Sequence, residues 1–385
     1  MRKKIFIIPC SLFIIHCSLF IFLSSCRGPE IIIPSEQEQK GDTVRSEMVG
    51  FYLLNEGAMG TNKATLDYYD FETATYTRNI YAEANPTVAQ SLGDVGNDLK
   101  IYGNRLYAVI NCSNFIEVMT ADSAKHIGTV SIPNCRYLCF KDGFGYITSY
   151  AGPVSIDPNY QQIGYVAKFD TATLQITDTF HVGYQPDDLE IVGNKLYVAN
   201  SGGYMTPNYE NTVSVINLGA PSERYRITVA KNLQYLRLDK YGQLWVSSRG
   251  DYYDIPSKLY CIDTATDNVI DELDVAVSSM WLDGDSLYVM GSQFSYVTFQ
   301  YEQNYNIIDV RSHKVVSDRF ISDTVNVTLP YGLMVHPATK DIFLTDAKNY
   351  VTPGDLHCFG KDGNLKWSVR AGDIPAHIAP RFISR

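Results

Sequence analysis

The sequence is poor in charge and carries none of the short signatures that announce catalysis. Charged residues make up 19% of its 385 positions, with Lys plus Arg at 32 against 42 for Asp plus Glu, a formal net charge of −10. A phosphate backbone calls for the opposite balance, so nucleic acid is excluded as a partner. There is no Gly-x-Ser-x-Gly elbow, no His-Glu-x-x-His, no glycine-rich phosphate loop and no zinc-ligand spacing. The expectation is a protein that is not an enzyme and holds no resident cofactor or metal. Helical periodicity is missing as well. Cysteine is present, eight in all, but not as a framework: Cys10, Cys17 and Cys26 lie at the N-terminus, leaving Cys112, Cys135, Cys139, Cys261 and Cys358. Cys135 and Cys139 would stand about 13 Å apart in extended chain, too far for a disulfide. The five read as small buried hydrophobes, with Cys112 the one candidate for a bridge.

What is abundant is apolar residue, 45%, and above all tyrosine, 28 residues against 17 Phe and 3 Trp. The first apolar run, Ile5 to Leu23, follows Arg2, Lys3 and Lys4 and ends in Leu23-Ser24-Ser25-Cys26. This is the layout of a signal peptide over residues 1–25 with a bacterial lipobox, in which Cys26 carries the lipid. The alternative is an uncleaved membrane helix, since the run nearly reaches spanning length. Residues 26–47 hold Gly28, Pro29, Pro34 and Gly41 and read as a flexible tether. The acidic Glu30 just after Cys26 suits an outer-membrane lipoprotein exposed at the cell surface.

From residue 48 to 385 one phrase recurs. Asp98-Leu-Lys-Ile-Tyr-Gly-Asn-Arg-Leu-Tyr-Ala-Val-Ile-Asn111 matches Asp188-Leu-Glu-Ile-Val-Gly-Asn-Lys-Leu-Tyr-Val-Ala-Asn200 nearly position for position. Each copy reads strand, tight turn, strand. An aromatic anchors each second strand: Tyr52, Tyr107, Tyr146, Tyr197, Trp245, Tyr288 and Phe343. A second hairpin follows, marked by phrases such as Phe169-Asp-Thr-Ala-Thr and Ile262-Asp-Thr-Ala-Thr. Four strands per unit and seven units predict an all-β, seven-bladed β-propeller. The first unit lacks its inner strand, and the segment from Ile374 to Ser384 has the length and alternation to supply it, closing the ring.

This topology sends the tight turns to one face and the long loops to the other. The loops carry Tyr150 and Tyr160 (149–164), Tyr204 and Tyr209 (201–211), Tyr252 and Tyr253 (249–258), and Phe294 and Tyr296 (291–305). Tyrosine offers flat contact area with a hydrogen-bonding end at low entropic cost, which suits a large ligand of mixed polarity. The candidate ligand contacts are these residues with Tyr331 at the central mouth and Asp187, Asn200 and Arg249 as polar partners. About half of such rings are expected simply to pack loops onto blades. Around the mouth, Asp98, Asp187, Asp188 and His377 also form the donor set of a metal-dependent hydrolase or lyase, against which stands ordinary capping of strand ends by Asp and Asn.

With its lipobox, its Leu-Tyr-Val-Ala-Asn blades, its Asp-Thr-Ala-Thr turns and its terminal Ile-Ala-Pro-Arg-Phe, the chain resembles the YncE-like seven-bladed propeller lipoproteins of Bacteroidetes. Within them it looks most like the BtuG-type cobalamin-capture proteins. That resemblance implies binding rather than catalysis: a corrinoid (cobalamin, vitamin B12) held on the Tyr-rich face and passed to a BtuB-like, TonB-dependent outer-membrane transporter. A glycan- or protein-binding surface propeller is the other reading of the same face.

Overall fold

The computed structural model describes residues 33–88, 91–295, 299–322 and 324–383. The signal peptide and Cys26 lie outside them, as does Tyr296. From Pro34 onward the chain forms one compact unit. Its strands, β1 to β29 in chain order, make seven antiparallel sheets. Six sheets have four consecutive strands, and the seventh has the order β1-β4-β3-β2-β29. The seven-bladed propeller expected from the repeats is the fold.

The inner strands are β5 (Gly96–Tyr102), β9 (Cys135–Lys141), β13 (Pro186–Val192), β17 (Leu233–Leu238), β21 (Ser279–Asp283), β25 (Pro330–Val335) and β29 (Pro375–Phe382). Every aromatic anchor lies on the strand next to one of these. Six of the seven are buried, among them Tyr107, Tyr197 and Trp245 with no exposed surface, while Tyr288 is partly buried. Burying rings of this size in each blade interface supplies most of the lateral cohesion, since each removes 150–250 Å² from water, roughly 4 kcal/mol or more before entropy is counted.

The turn phrases have a local cause. Asp170 Oδ1 accepts the backbone N–H groups of Ala172 and Thr173, both at 2.8 Å, and Asp70 does the same for Glu72 and Thr73. Each turn closes on a residue in the left-handed region, Leu174 at φ 61° and Ala74 at φ 53°.

β29 pairs with β2 (Met48–Asn55) from Met48↔Phe382 to Asn55↔Pro375, which closes the ring. The expected tether over 26–47 needs correction at its C-terminal end. Glu36–Gln39 forms β1, which pairs with β4 (Thr75–Arg78) as a fifth strand of the first blade. The segment is polar and lacks strand-forming residues, but the free edge of β4 offers it a ready hydrogen-bonding partner.

Candidate functional site

Six of the seven inner strands begin with a bulge, β21 being the regular one. Register shifts fall between Gly96 and Asp98, Pro186 and Leu189, Leu233 and Leu236, and Pro330 and Leu333. A bulge re-aims consecutive side chains, and on β13 it sends Asp187 and Asp188 to different partners. Asp188 accepts from the N–H of Leu189 at 2.9 Å, from that of Leu236 on the next blade at 3.1 Å, and from Arg237 at 2.6 Å. Asp98 likewise caps Leu99 and accepts from Leu138 of the next blade, both at 2.9 Å. These carboxylates staple blade to blade.

Asp187 belongs to the mouth. It is fully buried, and it accepts the Tyr150 hydroxyl at 2.6 Å and Arg249 Nη1 at 2.9 Å, with Arg136 Nε at 3.4 Å. The Arg136 guanidinium stands 4.8 Å from the centroid of the Tyr150 ring. Burial opposes the charge on both arginines, but Asp187 and the surrounding tyrosines raise their pKa values further above the ordinary range. Burial raises the Tyr150 hydroxyl, and that of Tyr235 to about 12 even against the Arg249 charge, so both are neutral donors at pH 7. Two guanidiniums thus share one carboxylate.

Next to this cluster a cavity of about 430 Å³ opens over the last three blades. Its walls bring together Arg249, Tyr252, Phe294 and Tyr331 of the predicted contacts with Gln234, Tyr235, Ser278, Ser292 and Tyr350. Tyr331 donates to Glu56 at 3.2 Å, and Glu56 also meets His377 Nε2 at 3.1 Å. Tyr209 packs edge-on against Tyr252 at 6.5 Å, and Tyr204 against the buried Tyr150 at 6.4 Å. Tyr253 is 74% exposed beside them.

Several expectations fail here. Asn200 is no ligand contact: it is fully buried, donating to Thr212 at 3.0 Å and Ser214 at 2.9 Å and accepting from Gly183 at 2.9 Å. Tyr160 is not among the residues lining the cavity, and its hydroxyl donates to Gln162 at 3.5 Å. Residues 291–295 and 300–305, expected in a loop, are strand. β22 (Ser286–Ser295) and β23 (Gln300–Asp309) stay paired out to Ser295↔Gln300, so Phe294 rides on a hairpin arm. Cys112 is a free thiol. Among the described residues no group of three or more His, Cys, Asp or Glu side chains is placed to hold a metal. The set imagined for one is dispersed, because Asp98 and Asp188 are blade staples, Asp187 is held by two arginines, and His377 is on Glu56.

The sequence profile of the domain of unknown function DUF5074 matches residues 49–363, nearly the whole ring. The chain belongs to the DUF5074 family. No curated protein matches it. Among solved structures, this DUF5074 chain is similar to hydrazine synthase of Kuenenia stuttgartiensis, at 15% identity and a TM-score of 0.61, over 74% of this chain and 89% of that one. It is also similar to a quinonprotein alcohol dehydrogenase-like protein of Bacteroides thetaiotaomicron, at 13% identity and a TM-score of 0.56, covering 87% and 78%. Apo AztD of Citrobacter koseri matches at 9% identity and a TM-score of 0.52, covering 88% and 100%. Likeness at this identity concerns the propeller and leaves function to the residues of the site.

Proposed function

We propose that this DUF5074 propeller is a cell-surface binding protein, anchored in the outer membrane through a lipidated Cys26, that captures a corrinoid on its loop-rich face and passes it to a TonB-dependent transporter. It acts by binding and carries out no reaction of its own. The observation that supports this reading is the mixture at one cavity of Tyr235, Tyr252, Phe294, Tyr331 and Tyr350 with Gln234, Arg249, Ser278 and Ser292. A corrinoid is a flat macrocycle fringed by amides. Rings cover its apolar edge, while the serines, the glutamine and the guanidinium meet the amides, and a cavity of about 430 Å³ receives one side of the macrocycle. The exposed Tyr204, Tyr252 and Tyr253 are placed to cover the remainder. The rigid ring lowers the entropic cost of ordering these contacts.

The test is the chain from Arg27 onward, without lipid, mixed with cyanocobalamin and desalted while visible absorbance is followed with the protein. Co-elution near one-to-one is the expected result, and Tyr252→Ala should weaken it about 10- to 30-fold, as for a buried aromatic anchor. Clean separation of pigment from protein rejects corrinoid capture and favours a glycan or protein ligand on the same face.

A further inference from the structure

The opposite end of the central channel holds a second cavity, of about 480 Å³, built by the lower halves of β5, β9, β13 and β17. It owes nothing to the loop-rich face. Lys100, Lys141 and Arg237 line it, against the carboxyl groups of Asp188 and Glu190. These charges do not simply cancel. Asp188 is already committed to two backbone N–H groups and to Nη1 of Arg237. Nη1 of Arg237 also reaches the Leu236 carbonyl at 2.6 Å, while Nε and Nη2 of its fork have no partner among the described residues. Lys100 stands 3.6 Å from Asp98, whose oxygens already accept from Leu99 and Leu138. Lys141 stands at the rim near the exposed Asp142. Burial, and then the neighbouring Asp188 charge, raise the pKa of Glu190, against the pull of Arg237 and Lys100. On one flank Tyr102 and Phe140 stack face to face, 4.7 Å apart and 5° from parallel.

We propose that this cavity is a second ligand site, which takes a small molecule bearing a carboxylate or phosphate oxyanion on a short apolar body. The oxyanion lies between Lys100 and the unused side of the Arg237 fork, where charge-assisted hydrogen bonds are strongest. The apolar body rests on the Tyr102–Phe140 pair. Glu190, which lines the same cavity and is coupled to both cations, limits affinity while it is ionised.

The experiment is calorimetric titration of the chain from Arg27 onward with benzoate and with phenyl phosphate at constant ionic strength, since screening would otherwise mask the effect. Saturable binding of either supports the site, and the tighter of the two names the oxyanion. Lys100→Gln should weaken it about 10-fold. Glu190→Gln should strengthen it about threefold or more, a gain that damage to the fold cannot produce. Arg237→Lys, which keeps the charge but loses the fork, is the second weakening variant should Lys100→Gln prove unstable. Absence of saturation by both anions up to about 10 mM, or Lys100→Gln and Glu190→Gln affinities equal to that of the parent, overturns the proposal.

Discussion

Replacing Asp187 by Asn isolates the electrostatics of the upper mouth. The new side chain keeps the shape and can still accept the Tyr150 hydroxyl, which now stands at 2.6 Å. What vanishes is the only negative charge shared by Arg136 and Arg249, whose side chains are 18% and 22% exposed. Removing one partner of a buried ionic group costs about 3–5 kcal/mol, because the remaining charge stays desolvated. For a body running from Pro34 to Arg385 the unfolding entropy is about 0.7 kcal/mol per kelvin, so the melting temperature should fall by about 4–7 °C. Adding Arg249→Met removes one of the two opposed guanidiniums, and the double variant should regain about 1–2 kcal/mol, a coupling that only a shared network gives. Scanning calorimetry of the four proteins closes the cycle. An Asp187→Asn protein that melts within about 1 °C of the parent, or a double variant whose losses merely add, would refute the view that Asp187 neutralises this pair.

Ending the chain at Asp373 removes β29 and strips β2 of its inner neighbour. We expect a melting temperature lower by at least about 10 °C and rapid proteolysis within the first blade, and an unchanged melting curve would show that closure contributes little. A second expectation concerns pH. Burial lowers the pKa values of His336 and His357 below the ordinary 6.5. The unfolded chain therefore binds protons there that the folded one does not. Their stabilising contribution is complete above pH 6.5 and is lost as pH falls below it, so unfolding free energy should decline between about pH 6.5 and pH 5. His357→Gln should flatten part of that decline in denaturant titrations, and an identical pH slope in the variant would dismiss the role of His357.

The ring was legible because the blades share their local physics: one large ring per second strand in all of them, and in several an Asp-capped turn closed by a left-handed residue. Seven copies average out the ambiguity of any single strand. The missing inner strand of the first blade could be read for the same reason, as a gap in an otherwise regular series. The site was legible only in part. Tyr252, Phe294 and Tyr331 could be placed on one face from topology alone, and they do line one cavity. Asn200 stood at the end of a repeat phrase, where only the bulge and the neighbouring strand decide that its amide turns inward to Thr212 and Ser214. The convergence of Arg136 with Arg249 on Asp187 draws on three different blades, and no local pattern marks it. Glu56 was missed altogether. Its partner His377 lies 321 residues away, and no local pattern marks a contact made only when the ring closes. The 291–305 segment misled because its polar and aromatic residues resemble loop composition, whereas cross-strand pairing holds residues 291–295 and 300–305 extended.

The composite first blade also bears on how the polypeptide is made. β2 leaves the ribosome long before β29, its inner partner from Met48↔Phe382 to Asn55↔Pro375. Throughout translation the nascent chain therefore carries an apolar strand, Met48–Asn55, with one hydrogen-bonding edge open. Intermediate blades can condense in order as they emerge, but the native circle cannot form until β29 has been made. β1, already available, can meanwhile dress the outer edge of that blade and leave only the inner one exposed. Ring closure therefore waits on β29, and the first blade is the one that stays incomplete longest.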